Sequence, residues 1–187
     1  MHTLAFAIAL PLAAGWRIQA AVAGRDTALE NWSELLGLLP GLTGNHIRRA
    51  FLHLTIEECH PSASIGHGTL FSKAATRIEE NVYIGARCHI ALAYFGRDAM
   101  LAPGVHVTSG PHTHGFDDPV QPIWQQPAAP KMVRIGAGCW IGSAAVVMAD
   151  VGEGAIVGAG AVVTRAIPPR AVAVGVPARV VRQRPGR

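Results

Sequence analysis

The stretch IGAGCWIGSAAVVMADVGEGAIVGAGAVVT, residues 135–164, repeats with a period of six residues. The repeating positions are aliphatic and stand, with one slip, at Ile135, Ile141, Val147, Val151, Val157 and Val163. An α-helix repeats near 3.6 residues and an exposed strand near 2, so neither element alone gives this period. The period predicts a chain that coils through three flat faces, with one short strand per unit and one aliphatic side chain pointing to the axis. Since so short a unit buries its apolar residue only against neighbouring units, we expect a stack of coils, a parallel β-solenoid.

The same spacing extends toward the N-terminus and is then broken by one long segment. Earlier repeat positions, with one-residue slips before Ile78 and before Leu101, are Ile65, Phe71, Ile78, Ile84, Ile90, Leu101 and Val107. Residues 108–132, TSGPHTHGFDDPVQPIWQQPAAPKM, have no six-residue register, are rich in proline and contain two histidines. Long irregular loops in compact domains are uncommon and are often functional. We therefore expect an extruded loop that carries part of a site.

These motifs together resemble the hexapeptide-repeat acyltransferases. The resemblance covers residues 62–184 and is carried by WIG at 140–142, VGAGAVVT at 157–164 and the closing GVPARVVR at 175–182. It implies a mainly β fold, a left-handed parallel β-helix, assembled as a homotrimer whose cofactor groove lies between subunits. The corresponding division of the chain is a helical segment at 1–60 and a β-helix domain at 61–187, with the loop at 108–132 and a tail at 165–187.

Acyl transfer from a thioester needs a base for the acceptor's proton, and histidine titrates near neutral pH. The family's catalytic histidine lies just beyond a coil that ends like LAPGVHVTSG, here at 101–110. An ungapped match places it at His112, and a match with a two-residue extension places it at His114. The GFDD that follows His114 is similar to polysaccharide-modifying relatives. We favour His114, with His112 as its partner or substitute.

The resemblance also implies an acetyl-CoA groove. The residues that match its lining are Trp140, Gly142, Ser143, Ala159, Thr164, Arg165, Arg179 and Arg182. Arg179 and Arg182 match positions near the nucleotide, where a planar guanidinium can bind phosphate with two hydrogen bonds. The neighbourhood of Gly142 and Ser143 is expected to supply the oxyanion donor, with the glycine letting the thioester approach. VVMADVG, residues 146–152, is two residues shorter than in many relatives, so the corner near Asp150 is expected to differ.

The N-terminal 60 residues predict helices. Residues 4–16 are apolar and uncharged, with Pro11 inside the run. Three interpretations stay open: a cleaved signal, a helix in the membrane interface, or a helix packed on its own domain or a trimer neighbour. Thr27 with Glu30 predicts a capped helix to Leu38, and Asn45 predicts the cap of a third helix. That third helix carries Arg48 and Arg49 beside an apolar face. It fits either a membrane-surface helix, so that residues 1–57 contact a membrane, or a cover for the open end of the solenoid.

Composition limits the other function classes. Residues 131–187 hold eight Lys or Arg against two acids, but they lack the aromatic residues of a stacking platform, so we expect no nucleic-acid partner. The three cysteines show no C-x-x-C and indicate a reducing compartment. No metal is expected: the gamma-class carbonic anhydrases share the solenoid, but their histidine pair is missing and alanine stands in the VGAG segment. The His67, His89 and His106 side chains are expected on the surface.

The function that follows is transfer of acetyl from acetyl-CoA to a hydroxyl of a saccharide, in surface polysaccharide biosynthesis. The expected location is the cytoplasm, against the inner membrane face. An N-acetyltransferase of an amino sugar or amino acid stays open, because the same histidine serves both acceptors. A non-catalytic scaffold is the alternative from another class.

Overall fold

The computed structural model describes residues 2–185 and consists of three helices followed by a β-solenoid. Met1, Gly186 and Arg187, which the sequence analysis assigned to the two terminal segments, lie outside the described residues. The helices are α1 (His2–Ala23), α2 (Arg25–Gly37) and α3 (Gly41–Thr55). A single 3-10 turn, Ile123–Gln125, lies in the loop.

The strands form three sheets, one on each face of the solenoid, and the chain visits them in turn over about six coils. Sheet A contains β1 (Glu58–Cys59), β4 (Arg77–Ile78), β7 (Ala93–Phe95) and β10 (Val133–Ile135). Sheet B contains β2 (Ser64–Ile65), β5 (Tyr83–Ile84), β8 (Met100–Leu101), β11 (Trp140–Ile141), β13 (Ile156–Val157), β15 (Ala171–Val174) and β16 (Arg179–Gln183). Sheet C contains β3 (Leu70–Phe71), β6 (His89–Ile90), β9 (His106–Val107), β12 (Val146–Val147) and β14 (Val162–Val163).

The two-residue strands explain the period of six. In each of them the first side chain points outward and the second lies in the core, as at Tyr83 and Ile84. All the aliphatic repeat positions predicted from the sequence are buried, at 2% exposure or less. Neighbouring strands pair in parallel, except that β16 returns antiparallel to β15. The predicted parallel β-solenoid is therefore confirmed, with an extruded loop between Val107 and Val133.

The helices cover the first coil, and their polar side chains bind its exposed edge. Arg48 donates to the carbonyl oxygens of Ile65, Leu36 and Leu39, and Ser33 Oγ accepts from Phe71 N–H at 3.1 Å. Asp26 Oδ1 accepts from Ala74 N–H at 2.9 Å. Burial lowers the pKa of Arg48, since the charged form loses hydration there. The end of the solenoid thus finds partners for backbone groups that a neighbouring coil would otherwise bind.

Two predictions for the helical segment were wrong in detail, and one open alternative was decided. The second helix begins at Arg25 after Gly24 rather than at a Thr27 cap. Asn45 lies inside α3, where its amide donates to Ser64 Oγ at 2.8 Å instead of capping a helix. Arg48 and Arg49 are buried rather than presented to a membrane, and Arg48 donates to the carbonyl oxygen of Ile65 at the solenoid end. For α3 the cover interpretation is the correct one.

Helix α1 packs on the other helices through its small residues. Ala5, Ala9, Ala13 and Trp16 face inward, and the ring of Phe6 meets His53 of α3 edge-on at 5.5 Å. By length and composition Leu4–Ala23 could cross a membrane, with mean hydropathy 1.4 and 22% of its most apolar window buried. Signal sequences near an N-terminus and buried core helices of other proteins have the same length and apolar composition.

Candidate functional site

The outer face of sheet C carries the first part of the candidate site. The outward residue of each strand lies beside the next one in register, giving the ladder Leu70, His89, His106, Val146 and Val162. The rings of His89 and His106 lie 5.6 Å apart at 50° to each other. Two imidazoles therefore stand side by side on an exposed sheet surface. This arrangement follows from their shared place in the repeat, directly before an inward Ile90 or Val107.

His114 faces the same surface. It lines a cavity of about 520 Å³ together with His89, His106, Lys73 and two glutamates of α2, Glu30 and Glu34. The glutamates are one helical turn apart and exposed, so both carboxylates lie on one wall of the cavity. Lys73 is paired with Asp26 at 3.0 Å. The cavity thus holds a candidate base, two hydrogen-bond acceptors and a pair of neighbouring imidazoles.

His112, two residues earlier, lines a different cavity. This second cavity, of about 480 Å³, includes Lys131, Asp150, Thr164 and Arg165. His112 thus lies with two of the residues that resemble the acetyl-CoA lining, and His114 lies with none of them. In an extended strand two side chains separated by one residue share a face, so the separation shows that the chain bends between His112 and His114. Asp150 accepts from Arg134 N–H at 2.8 Å, and this contact orders the corner that the sequence singled out.

The base of the loop is held firmly. Lys131 N–H donates to Ser109 O at 2.8 Å, and Ala129 N–H donates to His112 O at 3.0 Å. Farther out, the buried Gln126 donates to the carbonyl oxygens of Asp118 and Gln121, each at 2.8 Å. Two backbone N–H groups, of Val120 and Gln121, lower the pKa of the Asp118 carboxyl. The loop is therefore built around internal hydrogen bonds, while Phe116 and Trp124 stay exposed.

Gly142, Ser143 and Ala159 lie at the corner between sheets B and C. A Cβ atom on Gly142 would lie 2.4 Å from Ala159 N, so the missing side chain makes room for the next coil. Gly142 N–H already donates to Val157 O at 2.8 Å. Gly142 is thus required by coil packing, and its role beside a thioester stays a prediction. Ser143 is exposed, and within residues 2–185 its N–H has no hydrogen-bond acceptor, which leaves it as the donor at this corner.

The remaining predicted residues lie on sheet B. Trp140 points outward from β11 with 47% exposure, between Met100 and Ile156 of the adjacent strands. Arg179 and Arg182 lie on β16, opposite Val174 and Val172, at the edge of that sheet. The ten predicted site residues therefore fall into separate groups in one chain: a corner and face of sheet B, the second cavity, and the cavity of His114.

The sequence analysis missed the wall that faces His114. Glu30 and Glu34 gave no signal beyond a helix surface, because only the fold brings α2 over sheet C. The His89–His106 pair did leave a signal: both residues precede an inward position, and 17 residues separate them, three units with one slip. Within residues 2–185 no group of three or more His, Cys, Asp or Glu side chains is arranged to hold a metal ion.

The comparisons with known proteins agree with the repeat pattern. A family model described as the hexapeptide repeat of succinyl-transferase matches residues 75–109 and 132–165, on either side of the loop. No curated protein matches the chain in sequence.

Three of the solved structures similar to this one are described as acetyltransferases. A maltose O-acetyltransferase from Clostridium difficile 630 has a TM-score of 0.70 at 22% identity, with 84% of this chain and 87% of that chain covered. A galactoside acetyltransferase in complex with coenzyme A has a TM-score of 0.67 at 22% identity, with 87% and 84% covered. A hexapeptide-repeat acetyltransferase from Vibrio cholerae has a TM-score of 0.53 at 18% identity, with 87% and 94% covered. This likeness shows the fold, a left-handed parallel β-helix built from hexapeptide repeats.

Proposed function

We propose that this hexapeptide-repeat protein is an acetyltransferase that uses acetyl-CoA and acts on a hydroxyl of a saccharide. The observation that carries the proposal is His114, which follows the hydrogen-bonded base of the loop and lines one cavity together with Glu30 and Glu34. Support for the acyl donor comes from the repeat match and from the similar structure that holds coenzyme A. Support for a sugar acceptor comes from the maltose and galactoside enzymes with the same fold.

His114 acts as the general base in this proposal. Its neutral imidazole takes the proton of the acceptor hydroxyl as that oxygen attacks the acyl carbon, and the imidazolium then returns the proton to the departing sulfur. Acetyl-CoA supplies an activated acyl group and a thiolate leaving group. The Ser143 N–H donates to the oxygen that gains negative charge, a role that a preorganised backbone amide fills well. Glu30 and Glu34 accept hydrogen bonds from other hydroxyls of the acceptor and hold it against His114.

Arg165 and Lys131 suit the phosphates of the donor. Both line the second cavity beside Thr164, and both carry a fixed positive charge at neutral pH. The charge on β16 from Arg179 and Arg182 serves the nucleotide end in the same way. These residues fit an anionic ligand, and they lie on different faces of one chain.

A homotrimer resolves this separation. We infer that the corner with Ser143 from one chain faces the loop of its neighbour, so that His114 and the oxyanion donor come from different subunits. Support comes from the exposed apolar side chains on sheet B, Tyr83, Met100 and Trp140, which stand in register on one surface. Exposed Phe116 and Trp124 give the loop an apolar surface of its own. Such patches on a soluble chain mark interaction sites.

The cytoplasm is the compartment we propose, because acetyl-CoA is made and used there. The three cysteines are free and buried, in keeping with a reducing environment. We propose a precursor of surface polysaccharide as the acceptor that this enzyme modifies.

The test replaces His114 with alanine and measures release of the CoA thiol from acetyl-CoA with a panel of sugars. We expect H114A to lower kcat/KM by about 10²–10⁴-fold, the usual contribution of a general base. The matched control is H67A, an exposed histidine of an early coil, which should keep full activity. H112A should lower activity less than H114A and raise KM for acetyl-CoA, because its cavity holds Arg165. Full activity in both H112A and H114A would overturn the proposal.

Transfer to an amine is the second candidate, and one observation favours it. Two carboxylates on the wall opposite His114 also suit the ammonium group of an amino sugar. The same assay separates the candidates when amino sugars and their hydroxyl analogues are compared pairwise. E30Q/E34Q should then raise KM for the amino sugar far more than for the neutral sugar.

A further inference from the structure

Helix α1 places its large aliphatic side chains on the outside. Its buried positions are occupied by alanines and by Trp16, whereas the outward positions hold Leu4, Ile8, Leu10, Ile18 and Val22, with exposures from 39% to 88%. Pro11 and Ala14 lie on the same exposed side. A surface helix of a soluble domain has the opposite arrangement, with its apolar stripe inward and charges outward. Something apolar therefore covers this face in the functional state.

The inner face of α1 is fixed to the protein, so the helix lies flat. The Phe6 ring contacts His53, and a Cβ atom on Gly15 would approach the Trp32 ring to 2.8 Å. Near its end, Trp16 and Ala20 border the same small cavity as Leu54 and Ile56. Contacts at both ends hold the helix along the domain surface. A helix held in this way presents one side to its surroundings instead of crossing a bilayer alone.

The charges beside the apolar face are positive. Arg17 and Arg25 line the cavity at the C-terminal end of α1, and the Arg25 guanidinium lies 5.9 Å from the centre of the Trp16 ring. Residues 2–23 of α1 contain no acidic residue, and the carboxylate that follows, Asp26, is occupied by Lys73. An exposed aliphatic face bordered by arginine is typical of helices in the headgroup region of membranes. The Arg side chains complement anionic phospholipid headgroups.

We propose that the outer face of α1 docks on an anionic lipid bilayer, with its aliphatic side chains among the upper acyl chains and Arg17 at the phosphates. This role is independent of the acetyl-transfer chemistry, since no α1 residue lines the cavity of His114. It takes up the membrane-interface interpretation of the first helix, which the sequence left open, and not the one for α3. The solenoid would then stand beside the bilayer.

The experiment is flotation of the full chain with vesicles of phosphatidylethanolamine and phosphatidylglycerol, compared with phosphatidylcholine alone. The wild type should float with the anionic vesicles. L10Q/I18Q should reduce the bound fraction at least about tenfold, because two side chains at 58% and 72% exposure lose their apolar surface. The control V176Q/V181Q changes aliphatic side chains of similar exposure, 73% and 59%, at the far end of the solenoid and should bind as the wild type does.

The electrostatic part has its own variant. R17Q should weaken binding to the anionic vesicles by about fivefold and leave any binding to phosphatidylcholine unchanged. Flotation of L10Q/I18Q equal to that of the wild type would overturn the proposal, as would a wild type that does not float. Light scattering adds one more outcome against it: a smaller oligomer for L10Q/I18Q, without vesicle binding by the wild type, would assign this face to a second copy of the chain. If L10Q/I18Q loses helical circular dichroism, I18Q alone gives the same test.

Discussion

The solenoid and helix α1 are both rich in aliphatic residues, but they place the large ones on opposite sides. In the solenoid, Ile84, Leu101 and Ile141 are fully buried, and the outward positions are mixed. In α1, alanines are buried, and Leu10 and Ile18 point outward. The solenoid gains stability by removing its large side chains from water, whereas α1 keeps them available for a partner. An apolar stretch of sequence therefore indicates a need for burial without saying where the burial takes place.

The largest expected effect on stability comes from replacing one isoleucine by alanine in each of these two regions. I141A should lower the free energy of unfolding by about 2–5 kcal/mol, since it leaves a cavity inside a rigid coil. I18A should change it by less than about 0.5 kcal/mol, because its side chain is exposed. Urea unfolding followed by circular dichroism measures both. Equal losses would mean that the outer face of α1 is buried within the soluble protein, and the comparison would fail.

The solenoid was predictable because each strand contributes a single inward residue. Because of that rule, the inward positions Ile135, Ile141 and Val147 can be recognised by their fixed spacing in the sequence, whatever residues the rest of the coil contains. The helical cover was harder. Arg48 and Asn45 look like a surface charge and a helix cap, yet both bind the open edge of the first coil, a partner that only the fold supplies.

The types of residue in the candidate site could be predicted from the sequence, but which of them share a cavity could not. The loop and its two histidines follow from the break in the repeat. Their assignment to different cavities depends on the loop's path, which Gln126 and Ser109 fix through hydrogen bonds to the backbone. The glutamates opposite His114 come from a helix more than 70 residues away in sequence, so no local pattern could place them there.

A smaller effect is expected from Gly15, which sets the distance between α1 and α2. G15A should cost about 1–3 kcal/mol, since the new methyl group meets the Trp32 ring and the helices must separate. The matched change on the outer side, A14L, adds more volume but should alter stability by less than about 0.5 kcal/mol. Thermal unfolding and tryptophan emission report the change. A G15A protein as stable as the wild type would show that α1 is not held against α2.

The smallest effect concerns the buried thiol under the helices. Burial raises the pKa of Cys59 to about 12 from 9.0. Because the unfolded chain ionises first, the contribution of this thiol to stability is complete below pH 9 and is lost as pH rises toward 12. At pH 10 the loss from Cys59 should be about 1 kcal/mol. C59A should lose that much less than the wild type, while burial also raises the pKa of Cys88 and of Cys139, which keep their own contributions. Chemical unfolding at pH 8 and pH 10 measures the difference, and an identical pH dependence in both proteins would contradict the assignment.

The two ends of the coil stack are finished in different ways, and this determines how the molecule meets others of its kind. At one end, Arg48, Ser33 and Asp26 occupy the edge that another coil would bind. At the other end, the chain turns back on itself as β16. This is the outermost strand of sheet B, and it carries Arg179 and Arg182. A stack of coils left open would keep adding copies end to end and grow into a filament. With helices over one end and arginines on the edge strand of the other, end-to-end pairing of copies is disfavoured and side-by-side contact is favoured.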